Sequence, residues 1–187
     1  MSLTVFKVDF FNKFKVKDAS YWNNKGTRLK NRRKFQEAIN CFNKSLEINP
    51  EFIEAWFYKG NCLVELGRLY EALECYDKFL EKDQSQSDVW YNKGTTLLEM
   101  ERYEEALESL NMALKIDPND VEALYNKGLS LTKLERHQEA LKCYDEALKI
   151  DPNDVEVLYN KGLSLTKLER YQEAWNLAIN HHEFRKS

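Results

Sequence analysis

Glycine recurs at Gly26, Gly60, Gly94, Gly128 and Gly162, each 34 residues from the next with no insertion or deletion between them. Five of the chain's six glycines therefore stand in one column. A second column of small residues reads Ala38, Ala72, Ala106, Ala140 and Ala174, and a third reads Leu29, Leu63, Leu97, Leu131 and Leu165. A chain with three columns kept in register at a fixed period is an array of like units, each burying its face against its neighbours, and not a wrap around one globular core. Repetition is most literal near the end, where VEALYNKGLSLTKLER at 121–136 returns as VEVLYNKGLSLTKLER at 155–170. Residues 121–140 and 155–174 differ only at Ala123/Val157 and His137/Tyr171, as expected of a duplication that has hardly diverged. Sameness by itself is therefore no evidence of function.

Within one unit the apolar residues fall at helical spacing: Ala123, Leu124, Gly128, Leu131 and Leu134, then His137, Ala140, Leu141, Tyr144, Ala147 and Leu148. Each unit reads as two amphipathic helices. Asn119–Asp120–Val121–Glu122 has the form of a capping box for the first helix, repeated at Asn153–Glu156 and modified at Ser85–Asp88. Pro50, Pro118 and Pro152 punctuate the end of the second helix, while Gln84 replaces proline inside the polar run 81–88. Glycine in mid-helix costs about 1 kcal/mol against alanine, so five of them imply close approach of the paired helix at the alanine column.

These residues resemble the tetratricopeptide repeat family over 19–187, with units beginning at Ala19, Ile53, Ser87, Val121 and Val155. The resemblance rests on Trp22, Trp56 and Trp90 giving way to Leu124 and Leu158, on the glycine, leucine and alanine columns, on the aromatic column Phe42, Tyr76 and Tyr144, and on the three prolines. It departs from the family at Lys25, Lys59, Lys93, Lys127 and Lys161, where leucine usually precedes the glycine. Lysine stems there would cover apolar surface while the amines reach water. The resemblance implies an all-α right-handed α-solenoid of five 34-residue helix-turn-helix repeats, preceded by a basic, aromatic arm at 1–18.

Composition points to a soluble cytoplasmic binding protein. Hydrophobic residues make up 43% and charged residues 32%, enough to bury a continuous core, and no apolar run approaches the roughly 18 residues of a membrane span. Lys7, Asp9, Lys13, Lys15 and Lys17 interrupt any signal peptide. Cys41, Cys75 and Cys143 share one repeat column, a helix pair or more apart, too far for disulfides. With Cys62 on the packing seam, all four read as reduced structural thiols.

No catalytic residue, cofactor or metal site is expected. His137 occupies a column held elsewhere by Phe35, Leu69, Tyr103 and Tyr171 and reads as a packing residue. His181 and His182 are adjacent and face different ways, unlike a metal-binding pair four apart on a helix. The glycines are spread one per helix, so no phosphate loop forms.

The candidate site is a groove. Asp88, Asn92, Thr95 and Glu99 form a polar stripe on the first helix of the third unit, opposite Trp90, Gly94 and Leu97. Its asparagine recurs as Asn24, Asn126 and Asn160, with Tyr58 interrupting the row. The resemblance places this row on the concave face, like the asparagine ladders that hold extended peptides by their backbone. An amide offers both donor and acceptor, so it matches peptide N–H and C=O whatever the peptide's side chains. Tyr91, Tyr125 and Tyr159 would add flat apolar surface. The alternative is that these asparagines are solvated helix residues copied by duplication. The carboxylate-clamp mode of chaperone-binding relatives is not expected, because its basic residues are missing from Asn23, Thr27, Phe57, Asn61, Glu122 and Asn126. Glu54, Asp88, Glu122 and Glu156 would favour a basic ligand or simply the helix macrodipole.

Charge is uneven. Residues 1–34 carry ten Lys and Arg against Asp9 and Asp18, leaving 18 against 29 in the remainder. The basic patch Lys30, Arg32, Arg33 and Lys34 reads as a solvated turn, with contact to RNA or another anion as the alternative function. The expected partner is a protein or peptide, and nucleic acid is not expected. Two segments suggest self-association. In 3–17, period-two alternation of Phe6, Val8, Phe10, Phe14 and Val16 competes with a helical reading through Leu3, Phe6, Phe10 and Phe14. At the other end the repeat pattern fades after Ala174, where Trp175, Ala178, His181 and His182 replace the larger apolar face; Asn176, Asn180 and the histidines there read as a polar cap, with a self-association surface at Trp175 and Leu177 as the alternative.

Overall fold

The computed structural model describes residues 18–184, with side chains described as far as Ile179. The arm at 3–17 and the side chains of His181 and His182 lie outside them. Among the described residues ten helices follow in order: α1 (Ala19–Asn31), α2 (Phe35–Ile48), α3 (Ile53–Glu65), α4 (Leu69–Leu80), α5 (Ser87–Glu99), α6 (Tyr103–Ile116), α7 (Val121–Lys133), α8 (His137–Ile150), α9 (Val155–Lys167) and α10 (Tyr171–Phe184). No strand is present among the described residues. The first helix of each pair begins at 19, 53, 87, 121 and 155. Contacts divide the chain into two compact units, with the division between Glu71 and Ala72, inside α4.

The turn within each pair is set by backbone geometry. Arg33, Glu101, Glu135 and Glu169 sit at φ of 58–60°, and Gly67 at 70°. This left-handed residue closes a Schellman-type end: Glu135 N–H donates to the Thr132 carbonyl at 3.0 Å and Arg136 N–H to the Leu131 carbonyl at 2.8 Å. The same pair of bonds recurs at Gly67 and Arg68, at Glu101 and Arg102, and at Glu169 and Arg170. The arginine that follows forks onto the glutamate in the first turn of the next helix, Arg68 to Glu71, Arg102 to Glu105, Arg136 to Glu139 and Arg170 to Glu173, at 2.6–2.7 Å.

The helix starts correct one expectation. The residue that caps α7 is Asp120 and the one that caps α9 is Asp154, each one place after the asparagine of the expected box; Asp120 accepts from Ala123 N–H at 3.0 Å. Glu122 does not reach back, and its carboxylate is engaged elsewhere. Upstream, the Asp117 and Asp151 carboxylates accept from Asn119 and Asn153 N–H across the proline turns. Aspartate wins the cap because its short, charged side chain reaches the orphan donors of the first turn and also suits the helix dipole. At Ser85–Asp88 no box forms; Asp83 instead accepts from Ser85 and Gln86, and Trp90 Nε1 donates to the Gln84 carbonyl at 3.1 Å, which closes the turn that lacks proline.

In the first unit α1 packs on α2 and α2 on α3. The Phe42 ring lies over Gly26, where a Cβ would come within 2.6 Å of it, and the buried Ser45 hydroxyl donates to the Ala19 carbonyl at 2.7 Å. In the second unit α5/α6, α7/α8 and α9/α10 form pairs, and α7 and α9 also pack on the second helix before each of them, α6 and α8. Its core runs through Leu107, Leu124, Leu131, Cys143, Tyr144 and Val157. Gly128 faces the Tyr144 ring and Gly94 faces Leu110, with the Ala106 carbonyl at 3.4 Å from the position a Cβ would take. Gly26, Gly94 and Gly128 thus make room mainly for a large side chain of the partner helix, and only at Gly94 for the alanine column as well.

Cys41, Cys62, Cys75 and Cys143 are buried, and none is paired in a disulfide among the described residues. His137 is half-buried at the start of α8, with its Nδ1 buried and unpartnered. No described helix is long and apolar enough to cross a membrane.

Candidate functional site

The first helices of the second unit, α5, α7 and α9, lie side by side, and Asn92, Asn126 and Asn160 recur along them at the 34-residue step. The amides of Asn126 and Asn160 are already held. Asn126 Nδ2 donates to the Glu122 carbonyl of its own helix at 2.9 Å and points to the Tyr91 hydroxyl of the preceding pair at 3.4 Å. Tyr91 in turn donates to the Glu122 carboxylate at 2.9 Å. One repeat on, Asn160 Nδ2 donates to the Glu156 carbonyl at 2.9 Å and to the Tyr125 hydroxyl at 3.2 Å. Tyrosine, glutamate and asparagine therefore form a link from α5 to α7 and from α7 to α9.

Electrostatics follow from this link. Burial, and next the hydrogen bond to Glu122, hold the Tyr91 phenol far above the ordinary tyrosine range. Burial and then the Glu156 charge raise the Tyr125 phenol, while its bond with Asn160 pulls the other way. Both remain protonated donors at neutral pH. Thr95 lies on the same helix as Asn92, its hydroxyl bonded to the Asn92 carbonyl at 3.1 Å. Tyr159 is 66% exposed. Asn24 is exposed on α1, in the first unit, next to the buried Asn23 whose Oδ1 has no partner.

The structure thus places Asn92, Asn126, Asn160, Tyr91, Tyr125 and Thr95 on adjoining helices of one unit. It also reassigns Glu122 as the acceptor of an inter-repeat bond. The sequence signal for the link, a tyrosine followed by glutamate 31 and asparagine 35 residues later, was present at Tyr91 and Tyr125 but is visible only when columns of different repeats are compared.

Lysines of this column turn their amines toward aromatic rings and carboxylates. Lys25, Lys59 and Lys93 place their amines 5.0–5.6 Å from the ring centroids of Trp22, Trp56 and Trp90, a favourable cation–π geometry. Lys93 also reaches Asp77 at 2.6 Å and Lys161 reaches Asp145 at 2.7 Å, tying each first helix to the second helix before it. At the basic turn, Lys34 pairs with Glu37 at 2.9 Å, Arg33 approaches Glu65 at 4.0 Å and Lys30 stacks over Tyr58 at 5.3 Å. Neighbours within the first unit so engage three of the four basic groups, while Arg32 is exposed at the end of α1. Among the described residues no three His, Cys, Asp or Glu gather as metal ligands.

Helix pairs of this length, closed by a left-handed turn and stacked through a glycine-and-aromatic seam, define the helix-pair repeat class. Models of the tetratricopeptide repeat match residues 19–52, 87–120 and 121–154, and a second such model matches 41–74 and 143–176. The chain belongs to the tetratricopeptide repeat family. Among solved structures it is similar to the MamA protein, with 20% identity, 89% of this chain and 91% of that chain covered and a TM-score of 0.85. It is also similar to YrrB, described as a TPR protein with an unusual peptide-binding site, at 23% identity over 96% and 92% of the two chains with a TM-score of 0.82. An uncharacterized protein of Methanocaldococcus jannaschii is 38% identical over 42 residues, 22% of this chain and about half (49%) of that relative's length.

Proposed function

We propose that this chain is a non-catalytic protein-interaction scaffold that holds an extended peptide or partner segment along the α5–α7–α9 face. The observation that carries the reading is the fixed row of amides: Asn126 and Asn160 are each clamped by a neighbouring tyrosine and their own helix. Pre-organised groups lose less entropy on binding than free ones. Because each Nδ2 is engaged internally, the amide oxygens are the atoms offered to peptide N–H groups, which narrows the donor-and-acceptor ladder expected from sequence. Neighbouring helices pack about 8–10 Å apart and three extended residues span about 10 Å, so one amide meets every third residue. YrrB, with its described peptide-binding site, makes the same use of a similar fold a reasonable precedent.

The test uses a peptide selected from a random displayed library against the full chain. Replacing Asn92, Asn126 and Asn160 together by Ala weakens its binding by about 10-fold or more, each lost bond being worth about 0.5–1.5 kcal/mol, at unchanged helicity. Affinity unaltered in titration calorimetry removes this face from consideration. The affinity also changes little between low and physiological salt, whereas counterion release would make binding to nucleic acid fall steeply.

A further inference from the structure

The last helix pair keeps a socket that the corresponding pair before it fills with a tyrosine. In α7/α8 the Tyr144 ring lies against Gly128 so closely that a Cβ on the glycine would sit 2.4 Å from it. Its hydroxyl meets Thr132 Oγ1 at 3.0 Å, and its ring stands 6.5 Å from that of Tyr125. Thirty-four residues on, α9 repeats the receiving side without change, as Tyr159, Gly162 and Thr166, but the tyrosine position is Ala178. A Cβ built on Gly162 meets nothing within 4 Å. What remains is an open cavity of about 380 Å³, lined by Tyr159, Gly162, Thr166, Ala178, Leu158 and Leu177. Thr166 bonds back only to the Gly162 carbonyl, at 2.9 Å, as Thr132 does to Gly128, so its place facing a phenol is unfilled. Val155, Tyr159 and Leu163 beside it are exposed.

We propose that this socket binds a tyrosine side chain presented by a segment of a partner protein. The ring would lie on Gly162 and beside Tyr159, with its hydroxyl on Thr166 Oγ1, in the arrangement Tyr144 adopts one repeat earlier. An apolar ring removed from water supplies the affinity. The hydroxyl supplies selectivity, because a phenylalanine leaves Thr166 without its partner. The occupant is named by the template within the same molecule. This site does not depend on the asparagine face, and its probes are too short to reach Asn92.

The test titrates the full ¹⁵N-labelled chain with p-cresol, with toluene, and with blocked pentapeptides carrying Tyr, Phe or Ala between paired glycines. The expected result is amide shifts centred on Gly162 and Thr166, with Tyr binding about 3- to 10-fold tighter than Phe and Ala not binding. Gly162→Ala, which meets nothing in the empty socket, folds and places a methyl where the ring must lie. It abolishes the shifts, as does Ala178→Tyr, which fills the site from within. Absence of shifts at millimolar probe, shifts away from α9 and α10, or unchanged binding by Gly162→Ala overturns the proposal. Equal affinity for Tyr and Phe overturns the assignment to tyrosine. Binding of p-cresol without the Tyr peptide overturns the protein source in favour of a small phenol.

Discussion

Gly128 and Gly162 share the local sequence YNKGLSLTKLER, yet the same substitution should move their stabilities in opposite directions. Alanine is favoured over glycine in a helix interior by about 0.8–1 kcal/mol, and this gain applies at both positions. At Gly128 the new methyl falls 2.4–2.9 Å from three atoms of the Tyr144 ring, which is fully buried. The ring must shift within a packed core, an overpacking cost of about 1–3 kcal/mol, and the shift strains its bond to Thr132, worth about 0.5–1.5 kcal/mol. The net result for Gly128→Ala is a loss of about 0.5–3.5 kcal/mol. At Gly162 no atom lies within 4 Å, so Gly162→Ala gains about 0.8–1 kcal/mol. Urea titration followed by far-UV circular dichroism reads both changes, and amide exchange at Ser130 and Ser164 localises them. Shifts of the same sign in the two variants would refute the argument, because helix propensity would then outweigh the difference in space.

Two further effects follow from backbone and burial. Glu135 is held at φ 58°, so Glu135→Gly stabilises by about 0.5–1 kcal/mol as left-handed strain is relieved. Gly67→Ala destabilises by a similar amount although the space around it is open, and thermal unfolding that shows either change reversed rules out strain as the cause. Burial pushes the Cys62 thiol up to about 11, above the roughly 8.5 of an unfolded cysteine. The unfolded chain therefore releases this proton first, and the stabilisation present below pH 8.5 or so is lost as pH climbs toward 11. Cys62→Ala flattens the fall of urea midpoints over that window; an identical fall in the variant assigns the effect to other groups.

Periodicity made the helices legible because every pair repeats the same problem of burying a stripe against a neighbour. Ala38, Leu63, Ala140 and Tyr144 are buried as their columns imply. The capping residue was misplaced by one position because asparagine and aspartate stand side by side at 119–120, and sequence alone does not say which carboxylate or amide reaches the free N–H groups. The asparagine row was legible as a row, but its engagement was not. That depended on Tyr91 reaching Glu122, 31 residues away, a distance at which no helix periodicity speaks. The socket at Gly162 was hidden for a related reason: the change lies at Ala178, while the residues that line the opposite wall are identical in both copies.

The inter-repeat links have a bearing on how such a chain can lengthen. Each is written in residues at fixed offsets: Tyr91 to Glu122, Tyr125 to Asn160, Lys93 to Asp77 and Lys161 to Asp145. A 34-residue copy inserted in frame at the boundary of 154 and 155 brings its own tyrosine, glutamate, asparagine and lysine, and meets the complementary groups already in place on both sides. Growth by one unit then requires no new adhesive chemistry, whereas an insertion that is not a whole number of repeats puts the two ties that cross this boundary, Tyr125 to Asn160 and Lys161 to Asp145, out of register. The near-identity of 121–140 and 155–174 is what such an event leaves behind.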